Sequence, residues 1–63
     1  MYYFSDLRHA ASFALRCSTP AFVYDGPEDN YVVALGREAR QLEDDGHVPY
    51  PLAEVSRAVG AAR

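Results

Sequence analysis

The sequence predicts an α+β fold, a small antiparallel sheet of about three strands carrying helices in the order β-α-β-β-α-α. Two stretches rich in β-branched and aromatic residues, Ala21 to Tyr24 and Tyr31 to Leu35, flank the turn-forming run Asp-Gly-Pro-Glu-Asp-Asn and read as a hairpin. Before them, Leu7, Ala10, Ala11, Ala14 and Cys17 recur at helical spacing. After them come two shorter helical patterns, separated by the extended run Val48-Pro-Tyr-Pro.

Each element has a local reason. Tyr2, Tyr3 and Phe4 suit a strand, and Ser5 offers an N-cap with Asp6 in the first turn, where the helix dipole favours an anion. The first helix is expected over residues 6 to 17, with Arg8, Ser12 and Arg16 outward. Pro20 bars helical geometry from the residue before it and ends the segment. On the hairpin, Phe22 and Tyr24 oppose Ala21 and Val23, while Tyr31, Val33 and Leu35 oppose Val32 and Ala34. Both faces are apolar, so helix 1 covers one and the other needs later helices or another chain. Gly36 breaks the strand; residues 37 to 45 form a short helix with Ala39 and Leu42 inward and Gly46 as a left-handed stop. Pro51 at a first helical position opens the last helix through Leu52, Val55 and Val59.

A single small globular domain over residues 1 to 63 is expected, because so short a chain buries only about 60% of the surface it exposes when unfolded. With 49% hydrophobic residues and eight aromatics it has the composition of a folded protein. Small domains usually need a staple. One cysteine, Cys17, excludes an internal disulfide, and His9, His47 and Cys17 lack the close spacings of a zinc site. No cofactor and no metal are expected, which leaves a homodimer or tight docking on a larger partner. The start Met-Tyr-Tyr-Phe-Ser-Asp has neither a basic nor a long apolar segment, and no run approaches the roughly 20 residues of a membrane span. A soluble protein of the host bacterial cytoplasm, without membrane contact, is the expectation. All six cations are Arg and Ala is abundant, as in GC-rich bacterial or phage genomes.

The charges are segregated. Residues 25 to 54 hold eight of the nine carboxylates against two cations, Arg37 and Arg40, for a net charge of −6; the flanks carry +1 and +2. An acidic block projects a field that attracts basic partners and repels nucleic acid. Asp44 and Asp45 also sit where the second helix's dipole is already negative, each at a cost of about 0.3–1 kcal/mol. A local rule broken without compensation marks a place to look for function.

Whether the acids converge depends on the second helix. The strand from Tyr31 to Leu35 covers about 17 Å and the helix about 13 Å. If the helix doubles back after Gly36, Glu43, Asp44 and Asp45 return toward the hairpin tip carrying Asp25, Glu28 and Asp29. These six are the candidate partner-binding residues. Tyr24 and Tyr31 flank the tip and join them as contact residues for an Arg-rich surface, through hydrogen bonds and cation–π contacts. Two plainer readings stand beside this one: the acids as solvated decoration, and the two tyrosines as core.

Catalysis has no candidate residues. His9 lies about 12 Å from Cys17 along the predicted helix, and His47 follows a turn, so no Cys-His pair forms and Cys17 reads as a small buried hydrophobe. There is no phosphate-binding glycine loop, no Gly-x-Ser-x-Gly and no His-Glu-x-x-His. The few scattered arginines give no phosphate track for direct nucleic-acid binding.

In size, acidity, Arg-only cations and lack of catalytic residues, the whole chain resembles the small anti-CRISPR proteins of phages and mobile elements of GC-rich bacteria. The resemblance implies a non-enzymatic inhibitor that binds a CRISPR effector complex, presenting acids to an Arg or Lys groove meant for DNA. Asp25, Glu28, Asp29, Glu43, Asp44 and Asp45 are the residues that could play that part. The alternatives are a homodimeric structural or accessory protein using its aromatic sheet face, and an antitoxin-like binder of a basic toxin.

Overall fold

The computed structural model describes residues 1–60; Arg63, part of the basic flank, lies outside them. The elements are β1 (Tyr2–Phe4), α1 (Leu7–Arg16), β2 (Ala21–Asp25), β3 (Tyr31–Leu35), α2 (Gly36–Asp44) and α3 (Leu52–Gly60), with a one-turn 3-10 helix, Pro27–Asp29, in the hairpin loop. The α+β reading and its element order are therefore observed. The strands form an antiparallel sheet in the order β1-β3-β2, with Tyr2 opposite Val33 on one side and Val23 opposite Val33 on the other.

The two apolar faces of the sheet each receive helices. Ala10, Ala11 and Ala14 of α1 and Val55 of α3 pack on Val23 and Val33, flanked by Phe4, Leu7, Tyr31, Leu35 and Tyr50. Alanines on α1 let that helix lie close to the sheet. On the other face, Ala39 and Leu42 of α2 pack on Tyr24 and Ala34. No further chain is needed to cover it. Phe13, at the edge of α1, stacks on the rings of Tyr2 and Phe4, with centroids 4.7 and 5.4 Å apart, which fixes β1 against α1.

The helix ends differ in detail from expectation. Asp6, not Ser5, is the N-cap of α1: its backbone is extended and its Oδ1 accepts the Arg8 N–H at 2.8 Å. That backbone bond, with the Arg8 guanidinium 3.5 Å from the other oxygen, holds the Asp6 carboxyl below its ordinary range. At the end of α2, Gly46 has φ +95°, and the Gly46 and His47 N–H groups donate to the carbonyls of Glu43 and Leu42. This is the paired-bond stop that a glycine permits, as the sequence foretold. Pro51 sits one position earlier than expected, before α3, where its carbonyl accepts from the N–H groups of Glu54 and Val55.

The hairpin loop is tighter than its composition reveals. The Gly26 N–H donates to the Asn30 carbonyl at 2.7 Å, and Asn30 returns a bond to Pro27 at 3.0 Å. A Cβ on Gly26 would lie 2.8 Å from Cγ2 of Val32 and 3.0 Å from the Asn30 carbonyl oxygen. Val32 is buried and stiff about χ1, so neither neighbour yields cheaply. Gly26→Ala is therefore expected to destabilise by about 1–3 kcal/mol. Relief of chain entropy alone would stabilise by about 0.4–1 kcal/mol. Urea denaturation reads the sign, and a more stable variant would show that the loop relaxes freely.

Candidate functional site

The path of α2 decides how the acidic segments relate. Gly36 turns the chain, and α2 returns along the sheet: the Tyr24 hydroxyl donates to the Ala39 carbonyl at 3.3 Å. Leu42 and His47, at its far end, line one cavity with Tyr24, Asp25, Gly26 and Pro27 of the hairpin. The end of α2 thus lies beside the hairpin tip, the arrangement on which the convergence of the acids depends.

Glu28, Asp29, Glu43, Asp44 and Asp45 are all exposed. Among the described residues the ion pairs are Asp6 with Arg8 and Glu38 with the Met1 ammonium, so none of these five carboxylates is paired with an arginine. Asp44 ends α2 and Asp45 is its C-cap, both on the unfavourable side of the dipole. Glu28 and Asp29 have φ of +55° and +63°. Left-handed backbone costs an L-residue about 1–2 kcal/mol; aspartate tolerates it better than most residues, and glutamate has no such preference.

Asp25 stands apart from this group. By strand alternation its side chain is on the α1/α3 face, where the Tyr50 hydroxyl donates to Oδ1 at 2.5 Å. Tyr50 also donates its backbone N–H to the Val23 carbonyl at 2.8 Å, and its ring meets Tyr31 edge-on, centroids 6.1 Å apart. This one residue pins residues 47–51 along the outer edge of β2. Sequence reading passed over it as part of a linker. The available signal was its setting between Pro49 and Pro51, which leaves Tyr50 a backbone donor flanked by two residues that have none.

The carboxylate of Asp25 and burial push the Tyr50 phenol from 10.0 up to about 12. A raised pKa in the folded state favours the neutral phenol there. Its contribution to stability is therefore complete below pH 10 and is lost as pH climbs from 10 to 12. Tyr50→Phe should cost about 1 kcal/mol at neutral pH, and the gap from the parent should narrow as pH rises through that window. Denaturation midpoints at neutral and alkaline pH measure this; a gap constant with pH refutes it.

The two tyrosines expected at a contact surface are placed differently. Tyr24 is 2% exposed and belongs to the core under α2, so its ring is not available to a partner. The alternation of β2 turns it to a face that the return of α2 covers. Burial raises its phenol pKa, and so does the charge of Glu43. Tyr31 is partly buried against Tyr50 and the α1 core. Cys17, expected as a buried hydrophobe, is only partly buried; it caps α1, and its thiol donates to the Phe13 carbonyl at 3.3 Å. Among the described residues, no helix is long and apolar enough to cross a membrane.

No family model, curated protein or solved structure matches this chain.

Proposed function

We propose that this protein is a non-enzymatic inhibitor that docks its carboxylates into a basic, nucleic-acid-binding groove, with a CRISPR effector complex as the target class. One observation carries the reading: α2 returns to the hairpin, so that Leu42 and His47, on either side of Glu43, Asp44 and Asp45 in the chain, line a cavity with Asp25, Gly26 and Pro27, which precede Glu28 and Asp29, and among the described residues none of the five is paired with an arginine. Their placement also runs against local stability. Two sit at the wrong end of a helix dipole and two on left-handed backbone, costs that a merely solvated surface has no need to bear.

A groove built for DNA presents Arg and Lys at phosphate spacing, and exposed carboxylates on a small rigid body meet it through charge-assisted hydrogen bonds. The inhibitor acts inside a bacterial cell, where it competes with nucleic acid for the same cations. Asp25, held by Tyr50, fixes the base of the hairpin on this reading and makes no primary contact. The test is capture of effector complexes from lysate on the immobilised protein, followed by competition with duplex DNA and elution with salt. Displacement by DNA and release as salt rises support the reading. Capture of a basic toxin instead, or binding indifferent to both DNA and salt, overturns it.

A further inference from the structure

Opposite in character to the acidic end is an uncharged apolar groove of about 330 Å³, lined by nine residues of α1, β2, α3 and the Pro49-Tyr50 segment. Its edges are Leu15 and Leu52, which are 46% and 71% exposed; Val48, next to Pro49, is 81% exposed. The sequence concentrates neutrality here. Residues 17 to 24 carry no charged side chain, nor do residues 46 to 53 with His47 neutral, and these two stretches supply six of the nine lining residues.

We propose that this groove is covered by a second copy of the same chain. Two copies of a protein with net charge −3 repel, and the repulsion is least where the contact itself holds no charge. A basic partner has no carboxylate to meet in the groove, and an acidic one is repelled by the molecule as a whole. Size argues the same way. The core on this side is thin, with Ala10, Ala11, Ala14 and Val55 as the buried helix residues, and the single cysteine can form no internal disulfide. At about 150 Å² for a large apolar side chain, Leu15, Val48 and Leu52 together expose roughly 300 Å². The smallest specific interfaces bury about 500 Å² per copy. Ser18, Thr19 and Pro20, exposed and uncharged beside β2, can supply the remainder.

Sedimentation equilibrium of the full chain tests this up to about 0.5 mM, a range that reveals dissociation constants weaker than micromolar. The expected result is a dimer whose dissociation constant does not weaken between about 0.1 and 0.5 M salt, because no charge pair holds it. Leu52→Arg and Leu15→Arg, both at exposed positions, should each raise the dissociation constant tenfold or more while leaving the far-ultraviolet circular dichroism unchanged. A parent protein that stays monomeric throughout overturns the proposal, whether or not an apolar helical peptide then perturbs the groove. So do arginine variants that dimerise as tightly as the parent.

Discussion

Replacing Tyr24 with alanine is expected to abolish cooperative folding. Among the described residues Tyr24 is one of the three largest fully buried side chains, with Val23 and Val33, and it is the only aromatic in the cluster that α2 makes with the sheet. Truncating a buried aromatic costs about 3–5 kcal/mol, through lost burial and the cavity left behind. A chain of this length holds about 3–9 kcal/mol in all, at 0.05–0.15 kcal/mol per residue. The loss consumes most of that margin. Tyr24→Phe keeps the ring and removes only the hydroxyl bond to Ala39, so it should cost about 1 kcal/mol and leave a clear transition. Thermal and urea melts of the two variants check the pair. If Tyr24→Ala unfolds within about 1 kcal/mol of the parent, some contact other than this ring holds α2 on the sheet.

That dependence explains why part of the fold was legible in the sequence and part was not. The hairpin could be read because its turn residues and its β-branched strands carry their own instructions. The apolar pattern of both faces called for a cover on each, since neither Val23 and Val33 nor Tyr24 and Ala34 could be left wet, but it left open whether later helices or another chain supplied the second. The burial of Tyr24 was another matter. Alternation gave its face but not its fate, because a tyrosine beside a turn serves equally well as surface or core until a helix is known to return over it. Asp6 took the capping role from Ser5 by a shift of one residue, within the usual uncertainty of helix ends. Tyr50 escaped notice for a different reason. Its partners Val23 and Asp25 lie 27 and 25 residues away, and no local preference encodes such a contact. The left-handed backbone at Glu28 and Asp29 was equally hidden, because composition marked a turn without fixing its type.

Reversing Asp44 and Asp45 to arginine should weaken binding to the proposed effector at least tenfold while making the isolated protein more stable. The two effects have opposite signs for one physical reason. At the end of α2 each carboxylate opposes the helix dipole, and an arginine there is favoured, so each reversal contributes about 0.3–1 kcal/mol or more to folding. In a basic groove the same change replaces attraction by repulsion, and like charges brought into an interface cost several kcal/mol. A variant that binds poorly because it is misfolded is thereby separated from one that binds poorly because its charge is wrong. Glu28→Arg with Asp29→Arg should act on binding in the same direction, since the hairpin tip lies beside the end of α2. Glu38→Gln, in the first turn of α2 and paired with the Met1 ammonium, should change affinity less than about twofold, as expected of an isolated exposed pair. Affinity measured at two salt concentrations, together with urea melts of every variant, decides the matter. Reversal at Asp44 and Asp45 that stabilises the fold yet leaves affinity intact would remove the acidic end from the mechanism.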